Sequence, residues 1–289
     1  MILGRFGWIV VIALLYAGSP AKAQNIRYMG DGPWSEAANW VGGAIPGEFD
    51  TARINWANNT VTLDYEAPLV NRVQIGVDES GNLVIEDGGV LSAFQDVTAG
   101  NNGSVTGTLT VNSGAVVNVG RILWAGRMGS FGTIDVNDGA VINVFSHLWF
   151  GPDSTGSCVV NINSGGAIIQ TGNVDGILGL GTINAVDPSG GTATLNVNDG
   201  GLLALNNIHA AGTSIQPGSM LNIYGSGRVT LPGDFVGVME SYAAAGFISG
   251  DDVVGNVAVS YDLGADETTV VVAPPPSPSS SVSEWGLYR

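Results

Sequence analysis

A short motif returns through the middle of the chain at nearly constant spacing, and it limits the fold more than any other feature. Leu83-Val-Ile-Glu-Asp-Gly88, Leu109-Thr-Val-Asn-Ser-Gly114, Ile134-Asp-Val-Asn-Asp-Gly139, Val160-Asn-Ile-Asn-Ser-Gly165, Leu195-Asn-Val-Asn-Asp-Gly200 and the weaker Leu221-Asn-Ile-Tyr-Gly-Ser226 align with one another. Their starts are separated by 26, 25, 26, 35 and 26 residues. The long interval reads as an insertion near Asn184 to Gly191, where Asp187-Pro188-Ser189-Gly190 is a turn signal. Apolar residues fall at every second position on both sides of each turn, as in Leu109, Val111, Val117 and Val119, so each unit reads as strand, tight turn, strand. A third apolar run follows in most units: Ile122–Ala125, His147–Phe150 and Ile208–Ala211.

One such unit has no second layer against which to bury its apolar face, so the units must stack. The expected fold is all-β, a parallel β-solenoid (most simply a right-handed β-helix) of about six coils of roughly 26 residues, with an N-terminal cap. At about 4.8 Å per coil, six coils give a core roughly 30 Å long. Leu109, Ile134, Val160, Leu195 and Leu221 form one interior column, and Val111, Val136, Ile162, Val197 and Ile223 a second. A β-propeller is the structural rival, but its blades need about 40–50 residues each. Composition agrees with an all-β chain: Gly is 44 of 289 residues, Val, Ile, Leu and Asn abound, and strong helix formers are few.

The turn explains the Asn and Gly. Asn112, Asn137, Asn163 and Asn198 occupy one position of successive units, with Glu86 before them. Both residue types tolerate left-handed backbone, and stacked Asn amides can hydrogen-bond along the rod. The expectation is a structural turn ladder; a polar ligand ladder is the sharper alternative.

The first residues read as an address. Arg5 precedes an apolar run from Phe6 to Tyr16, and Ala21-Lys22-Ala23 closes it with a small-x-small end, the pattern of a secretory signal peptide cleaved after Ala23. The run is short for a membrane anchor, which needs roughly 20 residues. The mature chain then keeps seven Arg, no Lys and all 25 acids, a net charge of −18. Such an acidic chain is not expected to bind nucleic acid, and no span is expected in the mature chain. With one cysteine, Cys158, no internal disulfide can form; the residue reads as a small buried hydrophobe, with intermolecular pairing as the alternative.

The chain divides into a signal peptide (1–23), an N-terminal capping region (24–75), solenoid repeats (76–232), a C-terminal capping region (233–273) and a Pro/Ser-rich tail with a partial sorting-like motif (274–289). Trp34, Trp40 and Trp56 would close the end of the core, since an open solenoid edge must be blunted; the alternative is an aromatic sugar-binding surface. Ser241–Gly246 reads as a helical turn, and Val257–Tyr261 and Thr268–Ala273 as two last strands joined by a hairpin loop. Trp34-Ser-x-Ala-x-Asn39-Trp40, Gly42-Gly43, Pro46-Gly47 and Asp50-x-Ala52, together with the repeats, resemble secreted bacterial β-helix repeat proteins, including autotransporter-passenger-like repeats and proteins with exosortase-type sorting tails. Ser283-Glu-Trp-Gly286 resembles the start of such a tail, though only Leu287-Tyr288-Arg289 follows it here. The resemblance implies a secreted or cell-surface location and says little of activity.

No catalytic signature stands out. The expected role is therefore a structural or adhesive protein of the cell surface or extracellular matrix, with self-association. The alternative is a carbohydrate-binding or polysaccharide-degrading protein, with a cell-surface or extracellular polysaccharide as partner. In that reading Arg121, Arg127 and His147 are the catalytic candidates, and Trp34, Trp40, Trp124 and Trp149 the binding candidates. Trp124, Trp149 and Phe150 beside the two arginines would form an exposed row, and Arg228 is a third candidate for a uronate. Asp87, Asp138 and Asp199 recur at the turn, but Ser113 and Ser164 alternate with them, which favours turn chemistry over a carboxylate pair. No cofactor is expected. Ca²⁺ is a side expectation with no site assigned, because Asp251-Asp252 and the Asp262–Glu267 segment lack a binding-loop pattern.

Overall fold

A computed structural model describes residues 22–275 except 154, 173–174, 183–189 and 210–212. The apolar leader, most of the insertion and nearly all of the sorting-like tail lie outside the described residues. The fold is a parallel β-solenoid of about eight turns at about 26-residue spacing. Each complete coil contributes one strand to each of three sheets. In one coil, Thr106–Val111 lies in sheet B, Val116–Val119 in sheet C and Ile122–Ala125 in sheet A. The next repeats the path with Phe131–Val136, Val141–Val144 and His147–Phe150.

Register follows from the apolar alternation. Leu109 pairs with Leu83 and Ile134, and Ile134 with Val160, so one inward column runs on through Leu195 and Leu221, all wholly buried. Ile85, Val111, Val136, Ile162, Val197 and Ile223 form the second and are equally buried. Each such side chain contributes roughly 1.5–3 kcal/mol by leaving water. A slip of one residue would turn both columns outward, so the register is strongly specified. The turn from sheet B to sheet C needs Gly: Gly88, Gly114, Gly139, Gly165 and Gly200 all have φ between 70° and 78°, a region that costs any residue with a Cβ.

The structure has two more turns than the six expected. Thr51–Ile54 and Arg72–Val77 pair in parallel within sheet A, and Asn59–Leu63 pairs with Gly81–Ile85 in sheet B. Val61 and Leu63 thereby extend the two inward columns upstream. In this coil sheet C is reduced to isolated bridges, Glu66 to Val90 and Val70 to Ala93. Pro68 lies between them and has no N–H to donate to a ladder.

Aromatic side chains close the N-terminal end. Tyr28, Trp34 and Trp40 are 0%, 0% and 1% exposed and meet edge to face at centroid separations of 4.8 Å. The C-terminal end is closed differently. Helix Val236–Ala244 buries Met239 and Tyr242. The antiparallel hairpin of Val257–Asp262 and Glu267–Val272 then pairs antiparallel with Arg228–Pro232, ending the parallel run of sheet C. The third strand expected over Ile208–Ala211 lies partly outside the described residues; among those described in that coil, Asn207 bridges Ile177 and Ile215 bridges Leu180 in parallel. Among the described residues no helix is long and apolar enough to cross a membrane.

Candidate functional site

Three columns of Asn and Ser run along the rod, each side chain donating to its neighbour one coil earlier. In the first, Asn112 donates to Glu86, Asn137 to Asn112, Asn163 to Asn137 and Asn198 to Asn163, all at 2.8 Å. A second column, which the motif comparison did not single out, joins Asp135, Asn161, Asn196, Asn222 and Ser249. A third joins Ser92, Asn118 and Asn143. Each interior amide both donates and accepts within the ladder. Its groups are committed to holding coils together, which leaves little for a ligand. The recurring Asp residues belong to the same turns; Asp199 accepts from the N–H and hydroxyl of Ser226 at 2.9 and 2.6 Å, and these bonds hold its carboxyl below the usual range.

The outer face of sheet A is different. Its inward positions alternate with an outward column in which Arg27 pairs with Arg53, Arg53 with Gln74, Gln74 with Thr98, Thr98 with Trp124 and Trp124 with Trp149. Arg72 and His147 lie in the adjacent outward column. Arg121 enters from the corner before its strand, and Arg127 from the loop after it. Five of the six arginines among the described residues therefore gather on one side of a chain whose formal net charge is −16. Among the described residues, Asp96, Glu79 and Asp153 stand within ion-pair distance of them.

Asp96 is the centre of this group. Arg121 grips it with two bonds, Nε to Oδ1 at 2.8 Å and Nη2 to Oδ2 at 2.6 Å. Arg72 Nε stands 3.4 Å from Oδ2 and also donates to Gln95 at 3.0 Å. The carboxylate raises the Arg121 guanidinium above its ordinary value. The Arg127 guanidinium carbon stands over the Trp124 ring, 4.1 Å from its centroid, and burial lowers the guanidinium below the ordinary value. An arginine there stays cationic all the same.

The structure thus brings Arg121, Arg127, His147, Trp124 and Trp149 to one face, but it changes what the aromatics can do. Phe150 belongs to the core, wholly buried. Trp149 points outward yet is 6% exposed, and His147 stacks on it at 4.9 Å. Trp124 has Arg127 across one face. Neither indole offers the open platform that a stacked sugar needs. Trp34 and Trp40, the other binding candidates, are sealed in the end of the core, so a sugar cannot reach them. Trp56 is 41% exposed with Arg27 above it at 5.7 Å. Arg228 lies in sheet C near the C-terminal end, away from this group.

His147 is held as an acceptor. The Ile177 N–H donates to its Nδ1 at 3.1 Å, and burial keeps the ring neutral by lowering its proton affinity. A neutral imidazole whose Nδ1 accepts carries its proton on Nε2. In this arrangement its Nδ1 lone pair is engaged by the Ile177 N–H. Among the described residues no three His, Cys, Asp or Glu converge as metal ligands.

Arg72 and Asp96 were missed by the sequence reading. The signal was present: with Arg121 they recur at 24- and 25-residue steps, the period of the repeat carried upstream of residue 76. No protein-family model matches the chain, and no curated protein or solved structure shows significant similarity to it.

Proposed function

We propose that this chain is an exported adhesive rod of the cell surface or extracellular matrix, and that it holds an extracellular polysaccharide on the outer face of sheet A. The observation that carries the reading is the gathering of five arginines on one face of an acidic chain. The parallel stacking of coils sets Arg27, Arg53, Arg72, Arg121 and Arg127 along one sheet of the rod. The leader over residues 1–23 and the resemblance to secreted β-helix repeat proteins support export. Both ends carry caps, which favours contacts along the side of the rod over stacking of its ends.

The test is retention of the purified chain on a panel of immobilised neutral and acidic polysaccharides, with new reducing ends and unsaturated products followed in parallel. Retention without turnover is expected. Turnover that disappears in Arg121→Ala or Arg127→Ala would make the protein an enzyme, and a chain that no polysaccharide retains would end the adhesive reading.

A further inference from the structure

Resting on that reading, we infer that the ligand is a carboxylate-bearing polysaccharide, a polyuronate, lying along the rod axis with Arg27 and Arg53 as direct contacts. Arg27 and Arg53 are register partners on adjacent strands, and like charges in that position repel. Neighbouring strands are about 4.8 Å apart, so the two guanidinium stems rise side by side. Their repulsion is poorly answered within the chain. Glu79 stands 3.8 Å from Arg27 and is nearly half exposed. Arg53 donates to the neutral amide of Gln74 at 3.1 Å and has no carboxylate partner among the described residues.

Downstream the same face is arranged differently. Arg72 and Arg121 share Asp96, and Arg127 stands over Trp124 beside Asp153. Each group has one arginine more than the carboxylates paired with it, but at the first step the unpaired guanidinium, Arg53, meets only a neutral amide, whereas downstream every arginine has a carboxylate within ion-pair distance. An anion bridging Arg27 and Arg53 would convert a repulsive pair into two charge-assisted bonds.

Guanidinium is the planar fork that fits a carboxylate with two parallel bonds, and the described face uses no lysine. The charge density argues for a sparse polyanion. Double-stranded DNA carries a charge about every 1.7 Å of its axis and is held by a dense row of cations, whereas this face offers five arginines, most of them already beside a carboxylate, on a chain of net charge −16. A polymer with one carboxylate per sugar, read along successive coils, fits better.

The experiment uses the whole purified chain, with affinity electrophoresis in gels containing polygalacturonate, alginate or neutral dextran, and with double-stranded DNA as a competitor. Retardation by the two polyuronates and none by dextran is expected, weakening steeply with added salt. Arg53→Ala and Arg27→Ala should each weaken polyuronate binding about ten-fold, Arg53→Lys should recover part of it, and Arg228→Ala should leave it unchanged. Circular dichroism and the unfolding midpoint check that each variant is folded. Equal, salt-insensitive retardation by dextran would overturn the polyuronate while leaving a polysaccharide adhesin standing. DNA binding tighter than polyuronate binding would overturn it too, as would an Arg53→Ala chain that is folded and binds like the parent. Retardation by no polymer would remove this inference together with the adhesive reading beneath it.

Discussion

Arg121 closes a two-bond fork on Asp96 across adjacent coils, with Nε and Nη2 at 2.8 and 2.6 Å from the two carboxylate oxygens. Asp96 is 7% exposed, and Arg72 approaches it from the other side. Removing the carboxylate would leave two guanidiniums facing each other with nothing between them. Asp96→Ala should lower the unfolding free energy by about 2 kcal/mol, short of a fully buried pair because Arg121 is half exposed. The check is the urea midpoint at an unchanged m-value. Asp96→Asn should recover only a minor part of the loss, since an amide cannot neutralise either guanidinium.

The Asn ladder makes a graded prediction. Asn137 donates to Asn112 and accepts from Asn163, while Asn198 ends the column as a donor to Asn163. At about 1 kcal/mol for each amide bond, Asn137→Ala should cost about 2 kcal/mol and Asn198→Ala about half of that. Equal losses in paired denaturation curves would show that the amides act through turn geometry rather than through the column.

Cys158 is 3% exposed within the core, and burial pushes its thiol far above the ordinary value. The thiolate is the reactive form. An aromatic disulfide reagent should leave Cys158 untouched in the native protein and modify it stoichiometrically in concentrated urea. A native chain that reacts fast, or that forms covalent dimers in air, would contradict the buried placement.

His147 sets a pH dependence. Its proton affinity is lowered in the folded state from the ordinary value of 6.5, with desolvation as the largest cause and Arg121 adding to it. The unfolded chain then binds more protons than the folded one in the window just below pH 6.5, so stability rises with pH through that window and is lost as pH falls. Acidification also breaks the bond from Ile177, because Nδ1 must become a donor. Melting temperature measured from neutral pH downward should fall less steeply in His147→Gln than in the parent.

The repeat was legible because its two inward columns and its Gly turn recur with the same letters. Leu109, Ile134 and Val160 announce their stacking at a glance. The upstream turns were not legible by that rule. Asn59–Leu63 and Gly81–Ile85 stack in the same sheet, but their starts are 22 residues apart, and Pro68 interrupts the third face. Burial alone specifies those strands, and many apolar spellings satisfy burial. The hairpin after residue 256 was readable for the opposite reason: an alternating Val257-Ala-Val-Ser-Tyr261 and a β-branched run over Thr268–Val272 flank a Gly-Ala-Asp loop. Of the site, the sequence supplied Arg121, Arg127 and His147 but could not supply their partners. That Asp96 lies under Arg121, and that Arg127 covers Trp124, depends on side chains meeting between coils, which no one coil encodes. Trp34 and Trp40 show the limit of composition, since a tryptophan can close a core or present a surface with the same neighbours in sequence.

The ladder amides of Asn163 and Asn198 are 35 residues apart in the chain, against 26 for Asn137 and Asn163, yet both bonds are 2.8 Å. The pitch of the rod therefore does not depend on how much chain lies between one rung and the next. Such a molecule can gain or lose material at a corner in evolution without retuning the rest. For an engineer, the stretch between the buried strand Leu178–Leu180 and the strand Thr192–Val197 is the natural place to graft a foreign peptide, with the rungs on either side reporting whether the graft has been accepted.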